Sequence, residues 1–199
     1  MGQVVSSQTL QKECAELHAQ GKTLVFTNGH FDLLHYGHVQ YLQQARALGD
    51  FLIVGLNSDA SARLLKGEGR PITPQEERAA VLAALECVDR VVIFDGPTAD
   101  HLVALLEPHV YVKGGDWADT GPSIKPGREQ GPPEAKVVQS YGGRVVFLPY
   151  LPGHSTSDLI ARIRALGQAE PGEKPLERTT HRKGGASPLP GQEPSREVG

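Results

Sequence analysis

Five stretches of the chain carry consecutive apolar side chains, mostly β-branched or aromatic: TLVFT (23–27), FLIVGL (51–56), RVVIF (90–94), VYVKG (110–114) and RVVFLP (144–149). Short apolar runs without polar alternation predict strands covered on both faces, as in a parallel sheet. Between them the apolar positions recur at three and four residues. HVQYLQQARAL (38–48) lines up Val39, Leu42, Ala45 and Leu48, with Gly49 as its stop. TPQEERAAVLAAL (73–85) offers Thr73 as cap, Pro74 in the first turn and Glu76 three residues on, a capping box. ADHLVALLEP (99–108) stops at a proline and PEAKVVQSYGG (133–143) at two glycines. STSDLIARIRAL (155–166) opens on hydroxyl and acidic residues and sets Leu159, Ile160, Ile163 and Leu166 on one face. A further helix, about 9–20, precedes them all.

Strands alternating with helices in this way imply an α/β fold: a Rossmann-like, doubly wound, five-stranded parallel sheet in a single domain with right-handed crossovers. Ligands of such sheets lie beyond the carboxyl ends of the strands, near the topological switch point. The expected organisation is an N-terminal helix packed on the domain (1–21), the domain itself (22–166) and a tail (167–199). The tail has five prolines and six glycines against three large aliphatics, too little apolar surface to order itself, and is expected to be disordered. WADTGPSIKPGREQGPP (117–133) is too rich in glycine and proline for a regular element and is expected to be a long loop over the site.

Composition narrows the partners. With 39% apolar residues in 199, the chain can bury one good core. A net charge of −3 gives no bulk attraction for nucleic acid or an anionic membrane, so any anion must be held by a local site. Cys14 and Cys87 sit in helical patterns without metal-ligand spacing, as core or half-buried thiols of a reducing compartment. The N-terminus lacks the charged start and apolar run of a signal peptide, and no apolar stretch is long enough to span a bilayer. The expected location is the cytoplasm.

The chemistry concentrates at one corner, TNGHFDLLHYGHVQYL (27–42), where the first strand hands over to a helix. His35 and His38 lie three residues apart and project together once the helix starts. Gly37 between them lets backbone approach a ligand without a Cβ in the way. Asn28 and Gly29 suit the tight turn, and the helix N-terminus adds unpaired N–H groups and the positive end of a dipole, a ready anion site. A metal cluster of His30, Asp32, His35 and His38 would match no standard ligand spacing.

His35-Tyr36-Gly37-His38 resembles the HxGH motif of the nucleotidyltransferase (cytidylyltransferase-like) superfamily, which transfers a nucleotidyl group from a nucleoside triphosphate and releases pyrophosphate. GLNSDASARLLKGEGRPITPQEERAAVLAAL (55–85), VKGGDW (112–117) and LPGHSTSDLI (151–160) extend the resemblance over about residues 22–166. In detail they are most similar to the D-glycero-beta-D-manno-heptose 1-phosphate adenylyltransferases of the RfaE/HldE type, usually one half of a bifunctional kinase–adenylyltransferase. This chain would be the stand-alone form. His30 stands where that subfamily has cysteine, and Trp117 where it has tyrosine. The Asp116-Trp117 pair resembles the glycerol-3-phosphate and choline-phosphate cytidylyltransferases, which keeps a cytidylyltransferase of an alcohol phosphate open as the alternative. A catalytically silent nucleotide-binding module is a further rival, opposed by the intact motif histidines and hydroxyls.

The resemblance implies roles. His35 and His38 contact the triphosphate, and Lys66, in a glycine-rich loop, closes on the phosphates. Thr27, Asn28, Gly29 and Phe31 form the loop around the α-phosphate, and Asp32 either orients a histidine or the acceptor or caps a turn. Arg78, Lys113, Gly115 and Asp116 approach the nucleotide. Ser155, Thr156 and Ser157 receive the β- and γ-phosphates at the start of the last helix; one of them could equally be a plain N-cap. The expected substrates are ATP (or CTP) and a phosphorylated sugar or polyol. Mg²⁺ comes with the triphosphate, the protein holds no metal cage, and a homodimer is expected by analogy.

Overall fold

The apolar runs fold as strands almost where they are expected. In the computed structural model, which describes residues 1–114, 131–149 and 151–168, the long runs become β2 (Leu24–Gly29), β3 (Phe51–Asn57), β4 (Arg90–Phe94), β5 (Val110–Gly114) and β6 (Arg144–Leu148). A sixth strand corrects the expected count of five: β1 (Gln3–Val4) pairs with Arg90 and Val91 at the sheet edge. Two exposed residues carry no hydrophobic signature, so periodicity could not announce them. All pairings are parallel, in the order β1-β4-β3-β2-β5-β6.

Alternation along each strand feeds two helical layers. Val25 and, on β3, Leu52, Val54 and Leu56 face α2 (Tyr36–Arg46) and α4 (Gln75–Ala83), where Leu42 and Leu82 are fully buried. Leu24, Phe26, Ile53 and Tyr111 face the other way, against α1 (Ser7–Ala19), α5 (Asp100–Leu106) and α6 (Pro133–Ser140). Each fully buried leucine contributes roughly 1.5–3 kcal/mol of transfer free energy. Cys14 lies in this second layer, where burial and the neighbouring Glu13 push its thiol up to about 12, an inert core thiol as expected.

Three local features differ from the sequence reading. An eight-residue helix, α3 (Asp59–Lys66), replaces the start of the expected glycine-rich loop, capped by Ser58, whose hydroxyl accepts from the Ser61 N–H. Its large apolar residues, Leu64 and Leu65, are exposed while Ser61 and Ala62 are buried, so its inner face is marked by small side chains. The capping box expected at Thr73 does not form. The cap of α4 is Pro74 without a side-chain bond, because the Thr73 N–H is given to Asp32 and its carbonyl accepts from Arg78. The last helix, α7 (Thr156–Gln168), runs two residues past the expected boundary, and the rest of the predicted tail lies outside the described residues.

Candidate nucleotide site

β2 is the central strand from which the chain turns one way to β3 and β4 and the other way to β5 and β6. The carboxyl ends of β2 and β5 therefore flank the switch-point crevice. Its floor is polar and buried. Asn28 Oδ1 accepts from Lys113 Nζ and from the Tyr111 hydroxyl, each at 2.9 Å, and Asn28 Nδ2 donates to Glu134 Oε1 at 3.2 Å. Thr27 is fully buried, its hydroxyl 2.7 Å from Tyr41 Oη, which in turn donates to the Val112 carbonyl. Its side chain thus ties α2 to the sheet and is used up there, against its expected place at the α-phosphate.

The loop after β2 is shaped by Phe31, whose φ of +44° is uncommon for a residue with a Cβ. That turn sends the ring inward to 7% exposure, 5.3 Å from the His38 ring. Gly29 makes room, since a Cβ there would lie 3.1 Å from the Phe31 ring. The Phe31 ring is a core plug, so only its backbone is left to border the crevice. Asp32 takes the turn-capping role: both its oxygens are engaged, by Arg70 Nη1 at 2.7 Å and by the Ile72 and Thr73 N–H groups at 2.8 and 3.0 Å. Burial alone would raise its pKa, but these donors and the Arg70 charge outweigh it and hold the carboxyl below its usual range. It clamps the 70–73 loop beside the crevice.

Arg78 is corrected most firmly. Its side chain is wholly buried, Nε donating to the Thr73 carbonyl, Nη1 to those of His30 and Asn57, and Nη2 to the Asp59 carboxylate. The planar fork pins three loops at the carboxyl edge of the sheet and keeps no face for a nucleotide. Its carboxylate partner, Asp59, stands on α3 and not on its own helix.

Above this frame stand the histidines. The His35 and His38 rings stack with centroids 3.9 Å apart, and the buried Nδ1 atoms of both have no hydrogen-bond partner among the described residues. His30 Nε2 is in the same condition. Burial, reinforced by His35, pushes His38 down to about 4. His30 falls to about 4 through burial and the charges of Lys66, Arg78 and Lys113, against a raising effect of Asp32. His35 is lowered too, by burial, His154 and Arg162, with Asp158 opposing. Neutral imidazoles with orphaned nitrogens, ringed by cations, suit an incoming anion that supplies acceptors and restores charge balance.

The start of α7 closes the corner. A Cβ on Gly37 would lie 2.8 Å from the His154 carbonyl oxygen, and the Tyr36 and His154 rings meet edge-on at 5.6 Å. The close approach that requires glycine at 37 is thus to the chain's own backbone and not to a ligand. It brings the N-termini of α2 and α7 side by side, both with unpaired N–H groups. Ser155 is the cap of α7: its hydroxyl accepts from the Asp158 N–H at 3.1 Å and donates to the Asp158 carboxylate at 2.8 Å. Among the described residues the Thr156 and Ser157 hydroxyls have no hydrogen-bond partner.

The fold therefore assembles His35, His38, Asn28, Gly29, Lys113 and Ser155–Ser157 at one corner, with the exposed Lys66, last residue of α3, close enough to act on His30. Gly115 and Asp116 lie outside the described residues. His30, Arg70, Tyr111 and Glu134 were missed as site residues. His30 and Arg70 lie within the quoted stretches and Tyr111 directly before VKGGDW, but nothing in those patterns marks a role for them; Glu134 lies outside every motif and is recruited by packing. Among the described residues, no cluster of three or more His, Cys, Asp or Glu could hold a metal ion.

Comparison with known proteins decides the family. A model of the cytidylyltransferase-like family matches residues 26–162. The chain belongs to the cytidylyltransferase-like family. This cytidylyltransferase-like chain is 54% identical over 145 residues to the bifunctional protein HldE of Pelobacter propionicus, covering 73% of the chain and 28% of that protein. It is 55% identical over 151 residues to the bifunctional protein HldE of Geobacter sulfurreducens, covering 75% and 29%. The chain thus spans less than a third of the length of these relatives. In fold it resembles the pantoate–β-alanine ligase of Francisella tularensis, with a TM-score of 0.53 at 12% identity over 87% of this chain and 82% of that one. No helix of the described residues is long and apolar enough to cross a membrane.

Proposed function

We propose that this cytidylyltransferase-like chain is an adenylyltransferase that moves a nucleotidyl group from ATP to a phosphorylated sugar, heptose 1-phosphate being the favoured acceptor, with release of pyrophosphate. The reading is carried by the stacked His35–His38 pair, its orphaned nitrogens set beside two adjoining helix N-termini. The name HldE shared by relatives at 45–55% identity agrees with the resemblance of the sequence to the heptose 1-phosphate adenylyltransferases.

In such a transfer a phosphate oxygen of the acceptor attacks the α-phosphorus while the bond to the bridging oxygen breaks and pyrophosphate leaves. No protein nucleophile is required. The work is to align two polyanions and to stabilise the charge that builds on the leaving group. In this reading His35 and His38 donate N–H groups to phosphate oxygens from their neutral forms, and Lys113 and Lys66 neutralise charge from the sides. The N-terminus of α7, with Thr156 and Ser157, receives the outer phosphates. Mg²⁺ enters with the triphosphate as part of the substrate. Asp32 and Asp59, engaged by arginines, are not free to ligate it. A homodimer, inferred by analogy, is checked by light scattering.

The test is a panel of ATP and CTP against phosphorylated sugars and polyols, read by pyrophosphate release. A higher kcat/KM for ATP with heptose 1-phosphate is expected. Preference for CTP with an alcohol phosphate would move the chain to the cytidylyltransferase alternative favoured by Asp116-Trp117, and no turnover with any acceptor would remove the enzyme reading.

A further inference from the structure

Glu134 is a carboxylate only 2% exposed, and the transfer chemistry just described does not use it. It stands in the first turn of α6, across the 115–130 stretch from Lys113 at the end of β5. Its Oε1 accepts twice, from Asn28 Nδ2 at 3.2 Å and from the Ala99 N–H at 2.9 Å. On the far side of the same amide, Asn28 Oδ1 takes the Lys113 ammonium and the Tyr111 hydroxyl. The orientation of Asn28 is forced by its neighbours. The Lys113 ammonium, which can only donate, requires the oxygen on one side, and the Glu134 carboxylate requires the NH₂ on the other. A single side-chain amide thus joins the buried carboxylate to the crevice lysine and couples the ends of β2, β5, α5 and α6.

We propose that Glu134 is a positioning residue of the nucleotide site: through Asn28 it aims the Lys113 ammonium at the triphosphate and supplies its counter-charge from beneath. The inference rests on the reading of this crevice as the triphosphate site. The other groups around Lys113 do not stabilise its charge in that way. Tyr111, on its own strand, offers its ring 5.9 Å from Nζ, and its hydroxyl, pushed up by burial, stays protonated. His30 faces it from the loop after β2, with the cations Lys66 and Arg78 beyond. Burial drives the Lys113 pKa down, and Glu134 opposes that fall. Asn28, with one oxygen and one NH₂, is the bridge that lets a carboxylate act without occupying the phosphate's place.

Glu134→Gln keeps the shape and both accepted bonds and removes the charge. Three quantities are measured on the full chain: binding of Mg²⁺–ATP by calorimetry as a function of pH, the ¹³C resonance of the Lys113 ε-carbon, assigned with Lys113→Arg, and the melting curve. The expected result is a near-native melting temperature with ATP affinity at neutral pH lowered several-fold. The Lys113 titration and the alkaline loss of ATP affinity should both move acidward by about one pH unit or more. In a Lys113→Arg background the same substitution should move neither. Glu134→Ala, which also abandons Asn28 and the Ala99 N–H, should lower both melting temperature and affinity further than glutamine does. An unmoved Lys113 titration in a folded Glu134→Gln protein overturns the inference. Failure of the wild-type chain to bind ATP, or wild-type ATP affinity in Lys113→Met at every pH, overturns the site reading instead, whatever the lysine titration shows.

Discussion

Gly37 in the first turn of α2 packs directly on the carbonyl oxygen of His154, at a distance where a Cβ would intrude to 2.8 Å. This contact sets the relative position of two helix N-termini and, between them, of His35. Gly37→Ala has nowhere to put its methyl except by moving backbone. We predict a loss of about 1–3 kcal/mol of stability, as for other overpacked sites. A fall in kcat should persist at temperatures where the variant is fully folded. Thermal unfolding and steady-state rates check both, and wild-type turnover would show that the separation of the two helices is not critical.

His38→Ala is expected to lower kcat by at least about 100-fold, the scale of losing one aligned donor to a transition-state anion. Because His38 also packs on Phe31, His38→Gln serves as the better-filled control. Both should fold by circular dichroism. Near-normal turnover in either would remove His38 from the phosphate site.

Arg78→Lys separates frame from chemistry. A lysine cannot satisfy three carbonyls and the Asp59 carboxylate with one ammonium. Breaking this buried network should destabilise the chain by about 3–5 kcal/mol. Equilibrium denaturation measures it. A variant of native stability that has lost only ATP affinity would return Arg78 to the nucleotide.

Stability should fall on acidification through a defined window. His30 and His38 are lowered in the folded chain to about 4 from an ordinary 6.5, so between those values the unfolded chain binds more protons than the folded one. Stability is therefore full above pH 6.5 and is lost as the pH falls towards 4. Chemical denaturation at a series of pH values should show this slope, and His38→Gln should flatten it. An unchanged slope in that variant would mean that His38 titrates normally in the folded state.

Much of the fold was legible because parallel strands buried on both faces write themselves as apolar runs; RVVIF and VYVKG coincide with β4 and β5 to the residue. What escaped lacked that signal. β1 is two exposed residues, and α3 buries serine and alanine while leaving leucines outside. In the site, His35, His38 and Ser155 stand beside each other because each sits at the N-terminus of a helix after a strand, which the order of elements implied. Charge alone could not tell Arg78 from Lys113. Both are cations at the carboxyl edge of the sheet, and only the donors already spent on carbonyls distinguish a buried frame from a crevice-facing group. Glu134 could not have been found from sequence, since its partners Asn28 and Ala99 are 106 and 35 residues away.

The pairing of β2 with β5, which sets Val25 beside Val110, has a consequence for synthesis. A chain emerging from the ribosome completes β2, β3 and β4 and their helices well before β5, so one wall of the crevice exists while the other is still unmade. Lys113, and later the start of α7, arrive after that half-sheet can already fold. If the crevice takes ATP as proposed, nucleotide finds no complete pocket on a partly made chain, and ligand binding can stabilise only the finished topology by mass action.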